Sequence, residues 1–254
     1  MRLVLHQFRY DQKVFWRNPA AIFFTILFPL LFLFGLATFF GDHRISALGG
    51  IKVSTYYVPA IIVLSIIAAT LVSLAFRLTQ ARESGLLKRI RGTPLPSSVF
   101  IAGRVGNSLV ISAIMVVLIG GIGHLVFGVK VPTSTLPALL VSVAVGAAAF
   151  SCLGFALAAF IPNEDAAPAI TNAIVFPLYF LSGIFVPENE IPDGVLKVAG
   201  VFPVRPLFEA IFKAYDPSTT GSGFALGDLA VVTVWGIAGL VAALIWFRWE
   251  PRST

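Results

Sequence analysis

The sequence predicts an all-α membrane protein with six transmembrane helices, an N-terminal amphipathic interfacial helix, a short helix in a cytoplasmic loop, and two short re-entrant outer helices. Three observations carry that reading. The 254 residues are 57% hydrophobic and only 12% charged, with a mean hydropathy of +0.92, against about 25% charged residues in soluble domains. Six apolar runs are long enough to span a bilayer: Ala20–Phe40, Tyr56–Phe76, Val105–Phe127, Leu136–Ile161, Ala166–Val186 and Ala225–Phe247. No ten-residue alternating segments suggest a barrel, and a helical bundle is the other way to satisfy a backbone in lipid. A run of about 21 residues extends about 31 Å at 1.5 Å per residue, close to the hydrocarbon thickness.

Residues 1–18 come first. Arg2, His6, Arg9, Lys13 and Arg17 recur at helical spacing, with Val4, Phe8 and Phe15 on the opposite face and Leu5 and Trp16 at its border. This predicts a basic amphipathic helix in the inner membrane surface. Asn18-Pro19 ends it, and proline suits the first turn of the next helix. The apolar run that follows has no small-residue cleavage site behind it, which predicts no cleavable signal peptide.

Lys and Arg set the orientation. With the N-terminus inside, the inner segments hold twelve: Arg2, Arg9, Lys13, Arg17, Arg77, Arg82, Lys88, Arg89, Arg91, Arg104, Arg248 and Arg252. The outer segments hold six: Arg44, Lys52, Lys130, Lys197, Arg205 and Lys213. Both termini are expected in the cytoplasm, and residues 78–96 form the first cytoplasmic loop. Between the fifth and sixth runs, residues 187–224 contain two apolar pieces, Val195–Phe202 and Leu207–Tyr215, too short to span and separated by Pro203 and Pro206. They predict the re-entrant hairpin. The whole chain, 1–254, reads as one membrane domain.

The runs themselves carry packing devices. Gly146–Ala159 is rich in small residues, and Gly236, Gly239 and Ala243 form a second small stripe; such faces let helix backbones approach closely. Pro29, Pro59, Pro168 and Pro177 interrupt the runs and are expected to kink them. Cys152, the single cysteine, lies in an apolar run and reads as a small core residue.

Chemistry is harder to find. His6, His43 and His124 lie in three different regions, so no metal spacing exists and no metal site is predicted. There is no G-x-S-x-G and no acidic pair within the runs. No Walker A motif occurs, so this chain does not hold ATP by a P-loop. The reading is a non-enzyme. Nucleic acid is not an expected partner, since the basic residues gather in the cytoplasmic segments; the lipid bilayer is.

The stretch ARESGLLKRIRGTPLP, Ala81 to Pro96, reads as a short surface helix whose Leu86, Leu87 and Ile90 make an apolar patch among Arg82, Lys88, Arg89 and Arg91. Gly92-Thr93-Pro94 breaks it, and Ser97 or Ser98 can cap the next helix. Exposed leucines amid basic residues suit a partner's groove. A purely topogenic positive loop accounts for the charges but not for the leucines or Glu83.

This stretch resembles the cytoplasmic coupling segment of type-2 ABC transporter permeases, the daunorubicin-resistance-type exporters in particular: R-E-x-G, a leucine, a basic pair, then T-P-L. A second block, FPLYFLSGIFVPENEIP (Phe176–Pro192), resembles the end of that family's fifth helix and the start of its external hairpin. The six-run layout, basic N-terminal helix and two short outer helices are similar as well.

The resemblance implies the membrane subunit of an ATP-driven exporter in the plasma (bacterial inner) membrane. It implies a second permease chain, as homo- or heterodimer, and a separate ATPase subunit that binds ATP and Mg; no cofactor is expected on this chain. Arg82, Glu83, Gly85, Leu86, Leu87, Arg91, Thr93 and Pro94 would belong to the ATPase-coupling segment. The N-terminal helix (Arg2, His6, Phe8, Arg9, Lys13, Phe15, Arg17) would be a second contact with the ATPase and the inner leaflet. Ser182, Gly183, Phe185 and Pro187 would form an outer gate, and Phe176, Tyr179 and Phe180 would line the substrate path. The lack of a charged mid-membrane site favours an amphiphilic or apolar cargo (drug, antibiotic or lipid), hence multidrug efflux or antibiotic resistance. A glycan-exporting branch is the other cargo class. An ATP-independent secondary transporter or channel is the competing class, and it predicts a buried ionisable residue or inverted repeats; the runs hold no acidic residue at mid-depth, Asp228 lying at the outer end of the sixth, and the two halves show no repeat. A membrane-embedded hydrolase lacks its catalytic set.

Overall fold

The structure is a computed structural model that describes residues 2–40, 44–45, 50–92, 97–186 and 191–247. It is 80% helical. The helices are α1 (Arg2–Trp16), α2 (Pro19–Ile22), α3 (Phe28–Phe40), α4 (Val53–Ile67), α5 (Ser73–Glu83), α6 (Leu86–Arg91), α7 (Ser97–Phe127), α8 (Leu136–Phe160), α9 (Ala166–Leu181), α10 (Asp193–Ala199), α11 (Val204–Tyr215) and α12 (Leu226–Trp246). A two-stranded antiparallel ribbon, β1 (Arg44–Ile45) and β2 (Ile51–Lys52), links α3 to α4.

Among the described residues, four helical segments are long and apolar enough to cross a membrane: Val53–Glu83, Val99–Phe127, Leu136–Phe160 and Leu226–Trp246. Two further apolar helices, Phe23–Phe39 and Ala166–Leu181, are shorter. The fifth run was expected to continue to Val186, but its helix stops at Leu181. Gly183 takes a left-handed φ of 87°, a turn that glycine makes without the Cβ penalty, and the chain leaves the helix there.

Two π-helical turns interrupt the apolar helices. Phe23–Leu27 joins α2 to α3, with the Phe28 amide bonded five residues back to the Phe23 carbonyl. Pro29 supplies a cause: it has no N–H for Thr25, and its ring crowds that carbonyl in a regular helix. Ala68–Val72 joins α4 to α5, with the Ser73 amide reaching the Ala68 carbonyl. Thr70 Oγ1 donates to the Ile66 carbonyl at 2.6 Å beside it, a back-bond that loosens the helix ladder.

The α4–α5 helix is the centre of the bundle. Every residue of α4 except Thr55 is buried, packed against α3, α7 and α11. On α8 the small residues work as the sequence predicted. A Cβ on Gly154 would stand 3.0 Å from the Leu71 carbonyl, inside the second π turn. On the other side α8 meets α12, where a Cβ on Gly236 would lie 2.8 Å from Ala149 Cβ, and one on Gly239 2.9 Å from the Leu153 nitrogen. Bare backbones thus approach to contact, which is how helices gain packing energy without a hydrophobic drive in lipid.

At the far end, α11 buries Val204, Leu207, Phe208, Ile211, Ala214 and Tyr215, an i, i+3, i+4, i+7 stripe, against α4, α8 and α12. Pro206 sits in its first turn, where a missing N–H costs nothing. Thr135 Oγ1 donates to the Ala214 carbonyl at 2.6 Å, and Trp235 Nε1 to the Val201 carbonyl at 2.7 Å. These bonds tie the end of α11 to the start of α8, and the segment just after α10 to the middle of α12.

Candidate functional site

The α5–α6 corner is built by one glycine. Gly85, at φ 69°, is left-handed, so α5 stops at Glu83 and α6 leaves in a new direction. The sequence predicted a surface helix with leucines exposed; the structure divides them. Leu86 is 39% exposed, while Leu87 is fully buried in a cluster with Leu74, Leu78, Ala81, Phe100, Phe155 and Ala158. Lys88 and Arg89 are exposed and Ile90 is half-buried. The outward surface of α6 is therefore Leu86, Lys88 and Arg89, and Leu87 is the peg beneath it. Arg91 lies at the end of α6, and Thr93 and Pro94 lie outside the described residues.

Arg82 also points inward. It is 1% exposed, and its guanidinium donates to the carbonyls of Ala158 at 3.0 Å, Ile161 at 2.7 Å and Pro162 at 3.2 Å. The Ala158 and Ile161 carbonyls belong to the last turn and C-cap of α8, where intrahelical donors run out and the helix dipole is negative, and Pro162 follows in the α8–α9 turn. Next to it, Glu83 Oε2 accepts from the Glu164 amide at 2.9 Å. The α8–α9 turn completes itself locally, Asn163 Oδ1 accepting from the Ala166 amide at 2.8 Å.

The N-terminal helix shares this end of the molecule. It was expected to turn Phe8 and Phe15 to membrane or partner; instead α1 lies along α7. Phe15 is 2% exposed, packed with Ala69 and Ile111, and carries the Arg77 guanidinium 5.2 Å above its ring. Phe8 is half-buried, near Gly106. Between them, buried Asp11 pairs with Arg104 at 3.4 Å. A chain that must bury one arginine finds it cheaper with a carboxylate at hand. His6, Arg9, Lys13 and Arg17 remain exposed, interleaved with exposed Leu5, Tyr10, Val14 and Trp16. Arg2 opens the helix.

The opposite end holds the residues expected as a gate. The Tyr56 hydroxyl donates to the Gly183 carbonyl, the Tyr57 hydroxyl to the Phe185 carbonyl at 3.2 Å, and Ser182 Oγ to the Tyr179 carbonyl at 2.9 Å. Phe185 lies edge-on to Phe32 at 5.6 Å and against Phe180 at 5.0 Å, while Tyr56 meets Phe208 and Phe212, each at 5.4 Å. Ser182, Gly183 and Phe185 are thus gathered at one aromatic corner; Pro187 lies outside the described residues. Of the three aromatics expected along a substrate path, Tyr179 is buried inside this chain, whereas Phe176 and Phe180 are 52% and 57% exposed. Only the latter two offer a surface to anything outside it.

Sequence reasoning passed over Asp11 and the two tyrosines. Asp11 is the one acid among the first 40 residues, and that isolation within a basic helix was the available signal. Tyr56-Tyr57, at the head of an apolar run, had the polar handle that buried aromatics need. Among the described residues no cluster of His, Cys, Asp and Glu is arranged to hold a metal.

Comparison with known proteins agrees with this arrangement of apolar helices. The family model of the ABC-2 type transporter membrane domain matches residues 3–215. A Bacillus subtilis (strain 168) protein named "Putative transport permease YvfS" is 21% identical over 197 residues, which is 76% of this chain and 77% of that protein. Membership of this family implies, in general, partnership with an ATPase subunit. A multi-pass membrane protein of transport type, with its helices packed through small residues and its α5–α6 corner seated on α8, belongs to the ABC-2 type transporter family.

Proposed function

We propose that this chain is the permease subunit of an ATP-driven exporter that moves an amphiphilic or apolar substrate outward across the plasma membrane. The substrate class is drug, antibiotic or lipid-like. Two such chains flank the path, and each docks a separate ATPase that binds ATP and Mg. In this reading there are six crossings: the four long helices, α2–α3 with its π turn, and α9. Both termini, α1 and α6 are cytoplasmic; α10 and α11 form the outer hairpin, and the aromatic corner at Ser182–Phe185 is the outer gate.

The observation that carries the reading is α6. It presents Leu86, Lys88 and Arg89 outward from a seat fixed by buried Leu87 and Arg82, so a force applied there reaches the bundle. A loop that only set topology would need charge but not such a seat.

The test is capture, by tagged permease in detergent, of any adjacently encoded ATPase that carries G-x-x-x-x-G-K-[ST]. Leu86→Asp places a charge where an apolar contact forms, at a cost of several kcal/mol. A loss of about 3 kcal/mol weakens capture about 150-fold. Lys88→Ala should change capture little, as exposed ion pairs contribute about 0–1 kcal/mol. Unchanged capture by Leu86→Asp would remove α6 from the interface.

A further inference from the structure

Of the R-E pair of the α5–α6 segment, Arg82 is buried and Glu83 half-buried, and their bonds show another use. We propose that Arg82 and Glu83 are positioning residues that clamp the α5–α6 corner to the α8–α9 turn, so that movement of α6 is delivered to α9 and through it to the aromatic corner. The inference rests on the reading above for what moves α6, but not for the clamp itself.

The clamp has two jaws on consecutive residues. Arg82, fully buried, spans three carbonyls at the end of α8. A planar fork of donors can hold three acceptors in fixed directions, which a lysine ammonium on a flexible stem does not reproduce. Glu83 holds the Glu164 amide, two residues before α9 begins. Leu87 adds a third point of attachment, packed beside Phe155 and Ala158 of α8. Gly85 lies between these attachments, so the corner that could have bent freely is fastened on both sides.

What the clamp reaches is the second half of the inference. Helix α9 starts at Ala166, one residue after the turn that Glu83 grips, and ends at Leu181. Its 16 residues extend about 24 Å at 1.5 Å each. The next residues, Ser182 to Phe185, are those bonded by the Tyr56 and Tyr57 hydroxyls of α4. One continuous helix, with Pro177 inside it, therefore has the clamp at one end and the aromatic corner at the other. Both ends are held by side chains donating to, or accepting from, main-chain groups. The residues at α9's ends are thereby fixed by backbone position, and many side-chain substitutions within α9 would leave the linkage standing.

The experiment uses the full chain in lipid nanodiscs, with Cys152→Ala and spin labels at exposed Lys88 and Asp165. Electron paramagnetic resonance should give one narrow distance distribution in the otherwise native chain. Arg82→Ala and Glu83→Ala should broaden it. Glu83→Gln should restore it, because its amide oxygen still accepts from the Glu164 amide; Arg82→Lys should restore it only in part. Should Arg82→Ala fail to fold, the half-buried Glu83 supplies the test alone. A second measurement adds the captured ATPase and follows maleimide labelling of a cysteine at Val186, with and without Mg·ATP and vanadate. Glu83→Ala should keep ATPase capture at the native level yet reduce the nucleotide-driven change in labelling about tenfold, about 1.4 kcal/mol of lost coupling. A narrow distribution in both alanine variants overturns the clamp, as does Glu83→Ala losing ATPase capture together with the labelling change. No ATPase capture by the native chain would instead overturn the exporter reading, and the distance measurement, made without ATPase, stands apart from it.

Discussion

The two ends of the bundle are fastened by different chemistry. At the α1/α5–α6 end the fasteners are charged: Arg82 on the α8 carbonyls, Asp11 with Arg104, Glu83 on the Glu164 amide. At the α10–α11 end they are mostly neutral: the Tyr56 and Tyr57 hydroxyls on Gly183 and Phe185, Thr135 on Ala214, Trp235 on Val201, with the exposed Lys213 ammonium on the Phe224 carbonyl as a charged exception. Charge-assisted bonds are stronger and directional, but costly to leave half-made. Neutral bonds between hydroxyls and carbonyls can be exchanged for water at little net cost. The difference teaches where the molecule is stiff and where it can open. On the proposed function, the first end is the lever, which must not slip, and the second the gate, which must release.

Substitutions can break or sharpen that contrast. The largest effect is expected for Leu87→Asp, which loses a buried leucine and leaves a carboxylate in an apolar cluster, at a cost of about 4 kcal/mol to the permease itself. For a chain of this size that lowers the midpoint of thermal unfolding by roughly 8–16 °C, measured on the tagged protein in detergent. A native melting curve would mean the α5–α6 corner is not seated on α8. Next comes Asp11→Asn, which strands Arg104 at the α1–α7 contact. Breaking a buried pair costs about 3 kcal/mol, and α1 should become open to limited proteolysis after Lys13 and Arg17 while the remaining bundle stays folded. The smallest is Tyr56→Phe, which keeps the aromatic packing on Phe208 and Phe212 and removes one neutral bond, at about 1 kcal/mol. If Tyr56→Phe destabilised the protein as much as Asp11→Asn, the distinction between a stiff end and a yielding end would collapse.

What could be read from the sequence follows the range of the interactions involved. Hydropathy is local, so the apolar runs were legible, and four of them are helices of spanning length. Small-residue spacing is also local, and the Gly236–Gly239–Ala243 stripe does meet α8 closely. The two short helices after the fifth run were marked by Pro203 and Pro206 and are present as α10 and α11. The direction of Arg82 was not legible. Its acceptors lie 76 to 80 residues away in sequence, and a basic residue in a basic loop looks the same whether it faces a partner or a helix end. Leu86 and Leu87 were likewise equivalent in composition; which one is buried depends on the turn at Gly85. Phe8 and Phe15 formed an apolar face, but periodicity does not say whether lipid or α7 covers it.

The π turn at Ala68–Val72 has a consequence for everything after it. A helix advances about 100° per residue, and a π turn holds one residue more than an α turn. The extra residue resets the phase of α5 relative to α4. Without it, Arg82 would lie about 100° around the helix axis from where it now stands, facing away from the carbonyls of Ala158 and Ile161. The angular setting that joins two distant turns of chain is thus fixed fourteen residues ahead of the clamp, counted from Ala68 to Arg82, by the irregular stretch of helix that Gly154 on α8 leaves room for.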